Sequence, residues 1–138
     1  MFATCPGLLR RLASLCYETF LLSAVLAVAL ILPHLLLGAF AHRLASATLL
    51  WAHLFIVLLV YSVWFWSHGG QTLAMKTWRI RLVTPEGLPV RPAQALLRYL
   101  LCWPSFVLCG VGIFWTLIDR DRQFLHDRLA GTRLVEVR

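Results

Sequence analysis

Arg11, Glu18 and Asp127 are the residues of this chain whose types and positions could do chemistry. Glu18 is the one acidic residue, of six, that falls inside a long apolar run, Leu12–Leu32, and Arg11 stands seven residues before it. A charged side chain at the centre of a membrane helix disfavours insertion by roughly 2.5–3.5 kcal/mol on insertion scales. A carboxylate there needs a partner charge, a proton or a water-filled path. Seven residues is nearly two helical turns, so Arg11 and Glu18 share one face. Two uses of that pair are open. Glu18 could bind and release a proton or small cation, with Asp127 shaping the cytoplasmic entrance. Alternatively, Arg11 and Glu18 form a fixed ion pair that locks the first helix to the tail.

Other polar residues gather around these three. If the first two apolar segments run antiparallel, positions whose numbers sum to about 80 lie at similar depth, which sets Tyr61 and Ser62 level with Glu18. A hydroxyl from either could hydrogen-bond the carboxylate, whereas His53 falls nearer the opposite end. Gln71 and Thr72 are placed to cap or anchor a short interfacial helix, or to touch a ligand. Asp127 could neutralise Arg11 or Arg98, or order the Leu129–Thr132 turn. His126 could shuttle protons near neutral pH, or simply pack and hydrogen-bond. Asp119 and Asp121 alternate with Arg120 and Arg122 and read as a solvated boundary run.

The elements that must position these groups are helices in a membrane. The chain has 138 residues, suggesting one domain over 1–138, and it is 60% hydrophobic with 14% charged. Soluble domains carry about 25% charged residues, and one core of this size could not hide so much apolar surface. Leu12–Leu32 matches the ~20 residues that cross a bilayer, with Pro33-His34 expected to end it. Thr48–Trp66 is the second span, its Trp51, Trp64 and Trp66 suiting the interfacial belts. Gln71–Trp78 reads as an interfacial helix with Leu73, Met75 and Trp78 on its apolar side. Trp78–Thr84 and Thr132–Arg138 alternate as strands do, so they could pair at the membrane surface with Glu136 near Arg79 or Arg81. The fold expected is an all-α membrane protein: a transmembrane hairpin, a third membrane-embedded segment over Leu96–Ile118, and a short surface β pairing.

Pro104, Gly110 and Gly112 make that third segment either a kinked full span or a re-entrant hairpin. Charge bears on the choice. Of thirteen basic residues, five lie from Lys76 to Arg98 and five after Ile118, and the positive-inside rule would put both groups in the cytoplasm with the N-terminus. Three complete crossings forbid that arrangement. An Arg-Arg pair before an apolar run also resembles a secretory signal, but Tyr17-Glu18 interrupts it and retention is expected.

The net charge of +7 points to anionic lipid headgroups rather than nucleic acid, since no nucleic-acid-binding signature is present. There is no HExxH, nucleophile elbow or phosphate loop, so neither catalysis nor a cofactor or metal is expected. The four cysteines lack CxxC spacing. Cys16, Cys102 and Cys109 lie in apolar surroundings and read as small hydrophobes.

Four blocks, in order, resemble the RDD family of small membrane proteins, named for one arginine and two aspartates. They are Arg11-Leu12-Ala13-Ser14-Leu15-Cys16-Tyr17-Glu18, then Gly70-Gln71-Thr72-Leu73 with Arg81-Leu82-Val83, then Ala95-Leu96-Leu97-Arg98-Tyr99, and Leu125-His126-Asp127-Arg128-Leu129-Ala130-Gly131-Thr132. Glu18 stands where that family usually has aspartate, and Ala74 where it usually has glycine. The resemblance implies a transport-related role with no agreed mechanism. The expectation is therefore a bacterial inner-membrane protein that oligomerises with its own copies, because two or three helices can hardly enclose a pathway. A non-transporting membrane scaffold whose charges are structural is the alternative.

Overall fold

The apolar run that opens the chain continues as helix well past its proline. A computed structural model describes residues 5–108 and 110–137; Cys109 and Arg138, the latter closing the alternating tail, lie outside the described residues. Helix α1 (Leu8–Leu26) passes through a π-helical turn (Ala27–Ile31) into α2 (Leu32–Ala41), giving 34 helical residues. Pro33 lacks a donor and its ring crowds the carbonyl one turn back. The π turn immediately before it shifts the hydrogen-bond register there, so Pro33-His34 does not end the helix as expected. His42, in the left-handed region at φ 50°, ends it instead. At 1.5 Å per residue the helix is about 51 Å long, more than the ~30 Å of hydrocarbon.

Helix α3 (Ala47–Ser67) returns, its first turn capped by Ser46, whose hydroxyl accepts from Leu49 N–H at 3.2 Å. The most apolar stretch of each long helix contains no buried residue, whereas the core helix of a soluble protein would be mostly buried. Val28, Leu35 and Ile56 are among the exposed side chains. Two contacts fix the antiparallel pairing: Tyr61 meets Glu18 at one end, and His34 meets His53 at 3.1 Å toward the other.

The third apolar segment is broken and folds back. Helix α5 (Pro92–Val107) starts with proline in its first turn, and the Gln94 side chain accepts from Arg91 N–H at 3.1 Å. It leaves the helix at Leu108, turns through Gly110 at φ 75°, and resumes as α6 (Val111–Ile118). A Cβ placed on Gly112 would lie 2.7 Å from the Ser105 Oγ. In a straight helix those two residues would stand about 10.5 Å apart along the axis. The segment is a helical hairpin, not one kinked span.

Beyond it, α7 (Leu125–Leu129) leads to β2 (Arg133–Glu136), which pairs antiparallel with β1 (Ile80–Val83), Ile80 opposite Glu136 and Val83 opposite Arg133. Glu136 meets Arg10 at 2.9 Å rather than Arg79 or Arg81. Strand side chains alternate faces, so Arg81 points away from the face that Ile80 and Glu136 share, and Arg79 precedes the strand in the left-handed region at φ 52°. The tail thus lies at the same end of the helical pair as the N-terminal turn of α1.

That end is where the core sits. Trp66, Met75, Ile80, Leu82, Tyr99 and Phe124 form a buried cap joining the ends of α3 and α5 to α4 (Leu73–Thr77), the strands and α7. Trp66 is therefore not an interfacial-belt residue, unlike the exposed Trp51 and Trp64. On α4 the inward side chains are Ala74 and Met75, while Leu73 faces out. Gly70 makes the cap's tightest turn: at φ 69° its carbonyl accepts from Leu82 N–H at 2.7 Å, and a Cβ would strike the Leu82 carbonyl oxygen. Gly70→Ala should cost at least ~2 kcal/mol through backbone strain and that clash, measured as a lower unfolding temperature in detergent. An unchanged temperature would contradict this packing.

Candidate functional site

A cavity of about 420 Å³ lies between α1, α3, α4, α5 and α7, and Glu18 lines it together with Tyr61, Ser62, Thr72, Arg98 and His126. These residues come from five elements or their ends, and each arrives by a different local device. Glu18 lies half-buried one turn beyond Ser14 on α1, and Ser14 lines the same cavity. Thr72 is the N-cap of α4: its hydroxyl oxygen accepts from Met75 N–H at 3.3 Å. The same hydroxyl donates to Glu18 Oε2. Tyr61 Oη donates to Glu18 Oε1 at 2.8 Å. Ser62 lines the cavity beside Tyr61 and makes no bond to the carboxylate. Gln71 stands outside the cavity and donates to the Ile80 carbonyl at 2.8 Å, anchoring the loop that presents Thr72.

Arg11 does not pair with Glu18. Its guanidinium donates to the Arg122 carbonyl and lies over the Phe124 ring, 5.5 Å from the centroid, with the residue only 2% exposed. The physical reason is axial distance. Residues seven apart share a helix face but stand about 10.5 Å apart along it, whereas direct contact belongs to spacings of three and four. Arg11 joins the start of α1 to the segment before α7, a clamp made through a carbonyl rather than a carboxylate.

Asp127 pairs with Arg98, whose Nε donates to Oδ1 at 2.6 Å, both side chains being almost fully buried. Arg98 also lies over Trp66, 4.2 Å from the ring centroid, a cation–π contact that covers its second side. The turn after α7 is ordered by the backbone of Asp127, whose carbonyl accepts from Thr132 N–H at 2.9 Å. Asp127 therefore joins neither Arg11 nor Glu18, and no three-residue cluster of Arg11, Glu18 and Asp127 forms. Asp119, expected in solvent, is buried: it accepts from Arg128 and from Gln123 N–H. Alternating charges at a boundary give no sign of a partner nine positions on.

His126 stacks on Phe124, with ring centroids 5.4 Å apart, and its Nε2 lies 3.7 Å from Asp127 Oδ1. Burial pushes its pKa down to about 4; the Asp127 carboxylate raises it less than burial lowers it, and Arg98 lowers it further. The ring is therefore neutral at pH 7, and a proton shuttle working near neutrality does not fit it. Because the folded pKa lies below the ordinary ~6.5, the unfolded chain takes up a proton first as pH falls. The stability His126 contributes is full above about pH 6.5 and is lost progressively toward about pH 4, by a total on the order of 3 kcal/mol. The unfolding temperature should rise with pH between those values, and rise less in His126→Phe; equal slopes would contradict this environment.

Sequence reasoning missed Ser14, Trp66 and Trp103 as cavity residues. Ser14 stands four residues before Glu18 and Trp66 four after Ser62, so helical spacing alone could have placed both. Trp103 carried no such signal. Among the described residues, no group of three His, Cys, Asp or Glu side chains is placed to hold a metal ion.

Comparison with known proteins sets this geometry in context. The model of the RDD family matches residues 5–131, nearly the whole chain. An uncharacterised protein of Rickettsia prowazekii (strain Madrid E) is 30% identical over 103 residues, 75% of this chain and 58% of that relative's length. The chain thus corresponds to little more than half of that relative. No solved structure matches.

Proposed function

Since this chain belongs to the RDD family, we propose that it is an inner-membrane protein that moves a proton or small cation, with Glu18 taking up and releasing the charge. The observation that carries the reading is the cavity: it holds a carboxylate bonded, among the described residues, to the hydroxyls of Tyr61 and Thr72 alone, beside a membrane-length helical pair. Two hydroxyl donors leave part of the acceptor capacity of a carboxylate unused. Arg98, the cation lining the same space, is already matched by Asp127. One positive charge on Arg98 thus stands against the two negative ones of Asp127 and Glu18, which leaves one negative charge for a mobile cation to offset.

Orientation follows from the basic cap. The N-terminal turn, Lys76–Arg98 and the tail share one end, which the positive-inside rule assigns to the cytoplasm, where the exposed basic side chains among them, such as Arg10, Lys76 and Arg81, meet anionic headgroups. Two long helices and a short hairpin do not enclose a path across ~30 Å of hydrocarbon. The exposed apolar faces of α2, α3 and α6 are the surfaces on which copies of the chain would meet. A scaffold reading draws on Arg11 and the Arg98–Asp127 pair, both of which serve packing.

Purified protein in liposomes distinguishes the two. An imposed pH or cation gradient should collapse faster than in protein-free vesicles, read with a pH-sensitive dye trapped inside. Gradients that decay at the same rate with and without protein would leave the scaffold reading in place.

A further inference from the structure

Resting on the assignment of Glu18 as a cation site, we propose that the cation it takes is a small organic ammonium with an apolar body, rather than a bare alkali ion. Size comes first. The cavity, at about 420 Å³, falls within the ~300–1,000 Å³ of small-molecule sites. Its walls come second: Leu15, Leu22, Leu58, Tyr99, Trp103 and Phe106 surround the polar edge. Such walls offer nothing to the hydration shell of an inorganic ion, but they gain by covering hydrocarbon.

Charge comes third. Arg98 lines the cavity too, but it is paired with Asp127 and stacked on Trp66, so Glu18, Arg98 and Asp127 together carry one net negative charge. An ammonium N–H can reach a carboxylate oxygen that already accepts one hydroxyl, because each oxygen has a second lone pair. Trp66 has one face engaged by Arg98, whereas the tyrosine and Trp103 rings provide further π surface for a cation.

The test uses the full chain in lipid nanodiscs and calorimetry with 4-phenylbutylammonium, its neutral counterpart 4-phenylbutan-1-ol, sodium chloride and potassium chloride. The ammonium should bind saturably, at least tenfold more tightly than the alcohol and at least tenfold more tightly than to Glu18→Gln. Ser62→Leu, which shrinks the cavity and leaves the carboxylate in place, should weaken the ammonium by a similar factor; it carries the test alone if Glu18→Gln does not fold. Unchanged affinity in Ser62→Leu, or equal binding of ammonium and alcohol, overturns the proposal. Glu18-dependent binding of sodium or potassium without the ammonium overturns the organic ligand and keeps the cation reading. No Glu18-dependent binding of any probe overturns both.

Discussion

Replacing Arg98 by alanine should destabilise the protein by roughly 3–5 kcal/mol, the largest loss expected from a single substitution here. The value comes from what is left behind. Asp127 is only 1% exposed, its Oδ1 depends on Arg98, and its Oδ2 has no partner among the described residues. Deleting the arginine strands a carboxylate in the cap and empties the space over Trp66. Asp127→Asn should also be costly, because it leaves the buried Arg98 guanidinium without a counter-charge even though the amide oxygen can still accept from it. The double variant Arg98→Met/Asp127→Leu should recover most of the loss, since two apolar side chains of suitable volume leave no charge buried. Unfolding temperatures of the three variants in detergent decide the matter. A double variant as damaged as Arg98→Ala would mean that the pair does more than satisfy itself.

Glu18→Gln should behave in the opposite way, keeping the fold while losing gradient-driven flux by at least tenfold. Glutamine retains a carbonyl oxygen that can accept from Tyr61 or Thr72, so the contact from α1 to α3 and α4 survives in part. What it cannot do is gain or lose a charge. The same substitution should therefore shift unfolding temperature little and flux greatly. A variant that unfolds as readily as Arg98→Ala would class Glu18 with the structural charges. Comparing the two substitutions in one preparation separates a carboxylate that holds the protein together from one that works in a cavity.

Much of this was legible in the chain. The spacing of apolar runs located both long helices, and the antiparallel depth rule set Tyr61 level with Glu18. Alternation in two short stretches anticipated the β1–β2 pairing, and the stretch Pro104–Gly112 bracketed the reversal of the third segment, although Pro104 lies inside α5 and the turn comes at Gly110. Other features were not legible, for specific reasons. The continuation through Pro33 depends on a π turn, which has no sequence signature in a uniformly apolar run. Arg11 and Glu18 share a helix face without touching; the acceptor of Arg11 is a backbone carbonyl 111 positions away, which no side-chain pattern announces. Asp119 looked solvated because its neighbours are charged, yet the fold turns it inward toward Arg128. The cavity itself exists only where several elements meet, so its residues could be nominated singly but not as a set.

The most direct observation of Glu18 at work is infrared difference spectroscopy on the protein in lipid, recorded as pH or cation concentration is changed. Uptake and release of charge at this residue predict a carboxylate band that responds to the change and disappears in Glu18→Gln. A spectrum without such a band, or one in which it persists unaltered in the variant, would contradict the assignment of Glu18 as the site.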